Sequence, residues 1–222
     1  MSGKKIIFIT VWLMLLSLAI YSPIKESKFI FASKDQVLLI NLFQRITGLL
    51  AFTLLCIQIL LGAYMEKLTD KLGGWVFKFH IFQGALIYLL IFAHPVLYMF
   101  FLFKIKGVLD PFYIFSDLCI LCSGNFEHLY NLGRISFWLL TVVVLAGKLR
   151  NEIFLRKYWR GLHVLNYLAF YLLAIHSKIL GRDIRTIPFK YIFVFAIILV
   201  SLTVLNRISS KIFKFPGFLY KD

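Results

Sequence analysis

The sequence predicts an all-α fold, a bundle of six transmembrane helices, and three observations lead there. Of 222 residues, 61% are apolar and only 16% charged, where a soluble domain is nearer about 45–50% apolar and about 25% charged. The mean hydropathy is +0.86. The apolar residues also gather into six runs, each close to or above the roughly 20 residues that a membrane crossing needs. This composition excludes a water-soluble fold, an intrinsically disordered chain and a cytosolic nucleotide enzyme. By length, residues 1–222 form one domain.

The first run, Ile6–Ile24, follows Lys4 and Lys5 as a signal peptide would. No small-residue cleavage pattern follows Ala19, so it is read as a retained helix. The second and third runs, Val37–Met65 and Trp75–Phe103, are 29 residues each and exceed a simple crossing, which tilting or extension past the bilayer accommodates. The fourth, fifth and sixth are Leu132–Leu149, Trp159–Leu180 and Ile187–Ile208.

Lysine and arginine total 25 against 10 acidic residues, a formal net charge of +15. In so apolar a chain this excess belongs in the connections. It reads as topology and lipid-headgroup contact, with no nucleic-acid partner. Six spans put both termini on one side. That side carries 14 of the 25 basic residues, and five of them (Lys148, Arg150, Arg156, Lys157 and Arg160) crowd one connection. The termini are therefore expected in the cytoplasm, with the chain in a plasma or inner membrane. There is no Gly-x-Gly-x-x-Gly, no phosphate loop and no evident internal repeat. After the sixth span only Ser209–Asp222 remains, too short for a flavin or nicotinamide domain, so no FAD or NADPH site is expected within this chain.

Four of the five histidines lie inside apolar runs: His80 and His94 on the third, His163 and His176 on the fifth. Ionisable groups at membrane depth are costly and mark function. His80 follows Trp75 by five residues and His163 follows Trp159 by four, and the two spans cross in the same direction. His80 and His163 should then share a level near the cytoplasmic face, and His94 and His176 a level near the other. Imidazole pairs from facing helices at two depths suit two stacked b-type haems per chain, with all four histidines as iron ligands. Azimuth tests this more strictly. At about 100° per residue, the 14-residue step returns to within about 40° of one face, whereas the 13-residue step lands about 140° away. The fifth span must overwind locally, or the two haems must be offset around it.

The segments FHIFQGALIYLLIFAHP (79–95) and YWRGLHVLNYLAFYLLAIH (158–176) resemble the ferric reductase-like transmembrane domain family. That family includes the membrane parts of NADPH oxidases and ferric reductases, and the haem subunit of bacterial methionine sulfoxide reductase. The resemblance runs from about Val37 to Ile208. It implies two haems between the third and fifth helices, and members with the 13-residue spacing bind haem there. It also implies single-electron transfer from a cytoplasmic flavin donor to an outside acceptor. Without a flavin domain of its own, the chain is expected to take electrons from a separate cytoplasmic flavin reductase or from quinol. Ferric iron, oxygen or a periplasmic redox protein would accept them. The alternatives are a haem subunit feeding a periplasmic reductase, or a transporter using histidines as a proton or metal relay.

Haem propionates need cations. Arg45, at the start of the second span, and Arg134, at the start of the fourth, are the candidates for the outer haem, with snorkelling as the bland reading. Arg156 and Arg160 are equally explained by topology. Gly84, one turn past His80, is expected to let a haem ring lie close, as are Gly48 and Gly62, although small residues also simply pack membrane helices. Pro95 loosens the helix beside His94. Phe82, Tyr167 and Phe170 lie between the two levels, where core packing is the better reading. The connection 104–131 is expected to form a semi-apolar lid. Its Cys119-x-x-Cys122 could be a disulfide, a redox pair or half a metal site. His128 is expected on the surface and Cys56 in the core.

Overall fold

The computed structural model describes residues 3–27, 29, 33–119 and 125–212. Among these residues it is helical, with no strand. Five helices are long and apolar enough to cross a membrane: α1 (Gly3–Ser27), α2 (Gln36–Ala63), α4 (Trp75–Lys106), α6 (Asn125–Lys148) and α9 (Phe189–Ile212). This is a multi-pass membrane architecture. Short α3 (Met65–Leu72) and α5 (Pro111–Phe115) lie in the connections.

The expected fifth span, Trp159–Leu180, is divided into α7 (Trp159–His163) and α8 (Leu165–Leu180) at Val164. Alone, the 16 residues of α8 rise only about 24 Å, short of the roughly 30 Å hydrocarbon core. The division is a tightening of the chain. Val164 has φ −68° and ψ −21°, which are 3-10 values. Its N–H bonds the Gly161 carbonyl three residues back, and the Tyr167 N–H bonds the Val164 carbonyl in the same way, each at 3.1 Å. A 3-10 turn advances about 120° per residue in place of about 100°. Overwinding of this sign reduces, without closing, the offset of about 140° that the 13-residue histidine spacing leaves.

The other spans differ from expectation at their ends. Most consequentially, α6 begins at Asn125 and not at Leu132, so Leu129 and Asn131 are helical and Arg134 lies well inside the helix. The N-cap of α2 is Asp35, whose carboxylate accepts from the Val37 and Leu38 amides, a cap worth about 1 kcal/mol.

Four elements form a square. α2 packs on α4, α4 on α6, α6 on α8 and α8 on α2, while the histidine-bearing α4 and α8 stand at opposite corners without close packing. α1 and α9 pack against α2 from outside the square. Between the two histidine levels, Phe52 stacks on Phe170 with ring centres 5.1 Å apart and on Phe193 at 5.2 Å, contacts worth about 0.5–1.5 kcal/mol each. Phe170 is fully buried, as core packing required, and Cys56 is core, but Phe82 is 60% exposed and points away from the bundle axis. Cations cover aromatic rings at one end: Lys5 over Trp75, Arg150 over Phe77 and Arg160 over Trp159. Amphipathic aromatics with basic neighbours suit a membrane–water boundary.

Candidate functional site

The square holds two histidine levels. At the level near Trp75 and Trp159, the His80 and His163 ring centres are 6.5 Å apart with planes inclined by 50°. At the other, His94 and His176 line one cavity of about 480 Å³, together with Arg45, Arg134, Gly48 and Gly133. The structure thus brings together both predicted pairs. It also brings Arg45 and Arg134 to the same outer cavity.

Each imidazole rests on a glycine of the adjacent helix. A Cβ added at Gly48 would lie 2.7 Å from His94 Cε1, and one at Gly133 3.0 Å from His176 Cε1. At Gly62 it would lie 3.4 Å from His80 Cε1, and at Gly147 3.7 Å from His163 Cε1. The α2 glycines are fourteen residues apart, as are the α6 glycines and the α4 histidines. Gly84 does something else, because the atom nearest its missing side chain is Gln58 Nε2 at 3.0 Å.

The carbonyl four residues before each outer glycine takes the imidazole proton. His94 Nδ1–H donates to the Gln44 carbonyl at 2.8 Å, and His176 Nδ1–H to the Leu129 carbonyl at 2.8 Å. This fixes the tautomer that carries its lone pair on Nε2. At the inner level His80 Nδ1 closes no such bond, whereas His163 faces the Val143 carbonyl, four residues before Gly147. Side-chain amides approach the α4 rings as well: Gln44 Nε2 is 3.2 Å from His94 Nε2, and Gln58 Nε2 is 3.3 Å from His80 Nε2. Reading for histidines alone misses these glutamines and the α6 glycines. The signal was present as a repeated Gln-x-x-x-Gly, at 44–48 and again at 58–62, in step with the histidine spacing.

The arginines are already engaged. Arg45 Nε donates to Asp183 Oδ2 at 2.8 Å, Nη2 binds the other carboxylate oxygen, and Nη1 donates to Ser27 Oγ at 2.6 Å. Asp183, just beyond α8, is buried, and no sequence signal points to it. Its charge offsets that of Arg45 and ties α1, α2 and the α8–α9 connection together. Arg134, 5% exposed, donates to Asn131 Oδ1 at 2.9 Å, lies 3.9 Å from Glu127 and covers the Tyr113 ring at 4.7 Å.

Part of the expected lid is present as α5, whose Tyr113, Ile114 and Phe115 line the outer cavity. The Tyr113 hydroxyl donates to Glu127 at 2.8 Å. Burial, ahead of that bond, pushes its phenol up to about 12, so it remains a donor at neutral pH. Cys119 is disulfide-bonded, and Cys122 lies outside the described residues. His128 is exposed. Among the described residues no group of three or more His, Cys, Asp or Glu side chains is placed to hold a bare metal ion. Paired imidazoles instead suit a group that brings its own equatorial ligands. Comparison with known protein families, with curated proteins and with solved structures finds no match for the chain.

Proposed function

We propose that this chain is a di-haem b transmembrane electron-transfer protein, with six membrane crossings once α7 and α8 are counted together. The single observation that carries the reading is the doubled imidazole pair, with every ring seated on a glycine. An iron held about 2 Å from the nitrogens of two imidazoles separates their ring centres by about 6 Å, and the 6.5 Å between His80 and His163 fits. The residues therefore suit the group. His80 and His163 would hold the inner haem and His94 and His176 the outer, while Arg134 would offer a cation to the outer propionates.

The haem irons supply reversible one-electron chemistry. Two histidines would hold each iron and leave no position for substrate, so the group would supply electron transfer and not chemistry on a bound molecule. The chain's own residues orient the ligands and exclude water. The glycines admit the rings, the Gln44 and Leu129 carbonyls hold the outer Nδ1 protons, and Phe52 with Phe170 keeps the space between the levels apolar. We assign the His80–His163 end and both termini to the cytoplasm, following the basic connection between α6 and α7. Electrons would enter there from a separate flavin reductase or quinol and leave to ferric iron, oxygen or a periplasmic redox protein.

The test is transmembrane transfer by the pure protein. Vesicles carrying the haem-loaded chain, with dithionite inside and ferricyanide outside, should reduce ferricyanide well above protein-free vesicles. Equal rates in the two preparations contradict the reading.

A further inference from the structure

His80 lacks the backbone acceptor that fixes the proton on His94 and His176, yet a buried side-chain relay reaches its other nitrogen. Trp12 Nε1–H on α1 donates to Gln83 Oε1 on α4 at 2.7 Å. Gln83 Nε2 donates to Gln58 Oε1 on α2 at 3.0 Å and to the Leu54 carbonyl at 3.2 Å. Gln58 Nε2 donates to the His80 carbonyl at 2.9 Å and stands 3.3 Å from His80 Nε2. Gln83 is 0% exposed, so its amide has no water to turn to.

The relay runs in one direction only. An indole N–H can only donate, and a backbone carbonyl can only accept. Trp12 therefore draws the Gln83 oxygen, while Leu54 and His80 draw the amide nitrogens of Gln83 and Gln58. Reversing either amide sets donor against donor, or acceptor against acceptor, at a buried position, where an unmade hydrogen bond is most expensive. What faces His80 Nε2 is consequently an N–H. An imidazole nitrogen that receives an N–H presents its lone pair, which leaves the ring proton on Nδ1.

We propose that Gln58 is a positioning residue for His80, locked by Gln83 and Trp12, and that without metal it selects the Nδ1–H tautomer, so that the lone pair stands on Nε2, where a metal would displace the Gln58 N–H. The outer histidines reach the same tautomer through main-chain carbonyls. The inner α4 histidine reaches it through side chains. Its purpose rests on the haem reading above, but the tautomer itself does not, and the two can fail separately.

The experiment uses the full-length chain labelled with 15N-histidine and grown without haem precursor. His80 is assigned by the signal lost in His80→Gln. The expected spectrum of the unsubstituted chain shows His80 with Nε2 unprotonated. In Gln58→Leu a protonated Nε2 population appears, while His94 and His176 are unchanged. A protonated Nε2 in the unsubstituted chain, which needs no variant to fold, overturns the proposal. So does an identical tautomer ratio in Gln58→Leu. If the expected tautomers are seen in a chain that never takes up haem, the haem reading fails and the relay stands.

Discussion

The ring centres of His80 and His163 stand 6.5 Å apart, although their helices occupy opposite corners of the bundle and do not pack closely on each other. The rings, not the backbones, span the interior. Such a gap would collapse if the helices were free to close. It is held open because α2 and α6 back the two histidine helices, each presenting glycine where an imidazole arrives.

Removing one ligand should remove one cofactor. His80→Ala or His163→Ala is expected to lower the content from two haems per chain to one, leaving the outer site loaded. Haem counted against protein after purification checks it. Retention of both haems would separate these residues from the inner iron.

The glycine seats should differ in tolerance, in the order of the clearances they leave. Gly48→Ala and Gly133→Ala, with 2.7 and 3.0 Å to the nearest ring atom, are expected to displace the outer ligands and cost most of the outer haem. Gly147→Ala, at 3.7 Å, meets only ordinary van der Waals contact and should keep both. Equal haem content in all three variants would show that these contacts do not position the rings.

Asp183→Ala leaves the partly exposed Arg45 guanidinium without its carboxylate. Breaking one side of a fully buried pair costs about 3–5 kcal/mol and of this half-buried one less, so thermal unfolding in detergent should move below that of the parent chain. The double variant Arg45→Met/Asp183→Leu should recover much of the loss. If Asp183→Ala melts with the parent, the pair is not a structural tie.

Arg134 is the cation to alter at the outer cavity. A positive charge favours the added electron, so Arg134→Leu should lower the outer haem's midpoint potential by about 50 mV, on the order of 1 kcal/mol. The inner potential should stay fixed, because that site is about four helical turns away. A redox titration resolving the two haems checks it, and an unshifted outer potential would remove Arg134 from the site.

Much of this arrangement was legible in the sequence because membrane constraints are strong. Apolar length marked the helices, and histidine at depth marked the site. The 13-residue interval between His163 and His176 called for local overwinding or for offset partners, and the 3-10 turn at Val164 gives part of the first. What stayed hidden depends on contacts between segments far apart in the chain. Gly84 looked like a haem neighbour by its distance from His80, yet helix rotation turns it toward Gln58. Arg45 looked free for a propionate until the chain brought Asp183, 138 residues away, against it. The start of α6 was placed late because Asn125–Asn131 is too polar to read as a crossing, although it continues the same helix.

The most direct measurement is a dithionite-reduced minus oxidised absorption spectrum of the purified chain, with haem counted per polypeptide in the parent and in each single His→Ala variant. The account predicts a b-type spectrum, two haems in the parent, and loss of the inner haem with His80 or His163 and of the outer with His94 or His176. A parent protein that remains colourless when its host is amply supplied with haem precursor would contradict it.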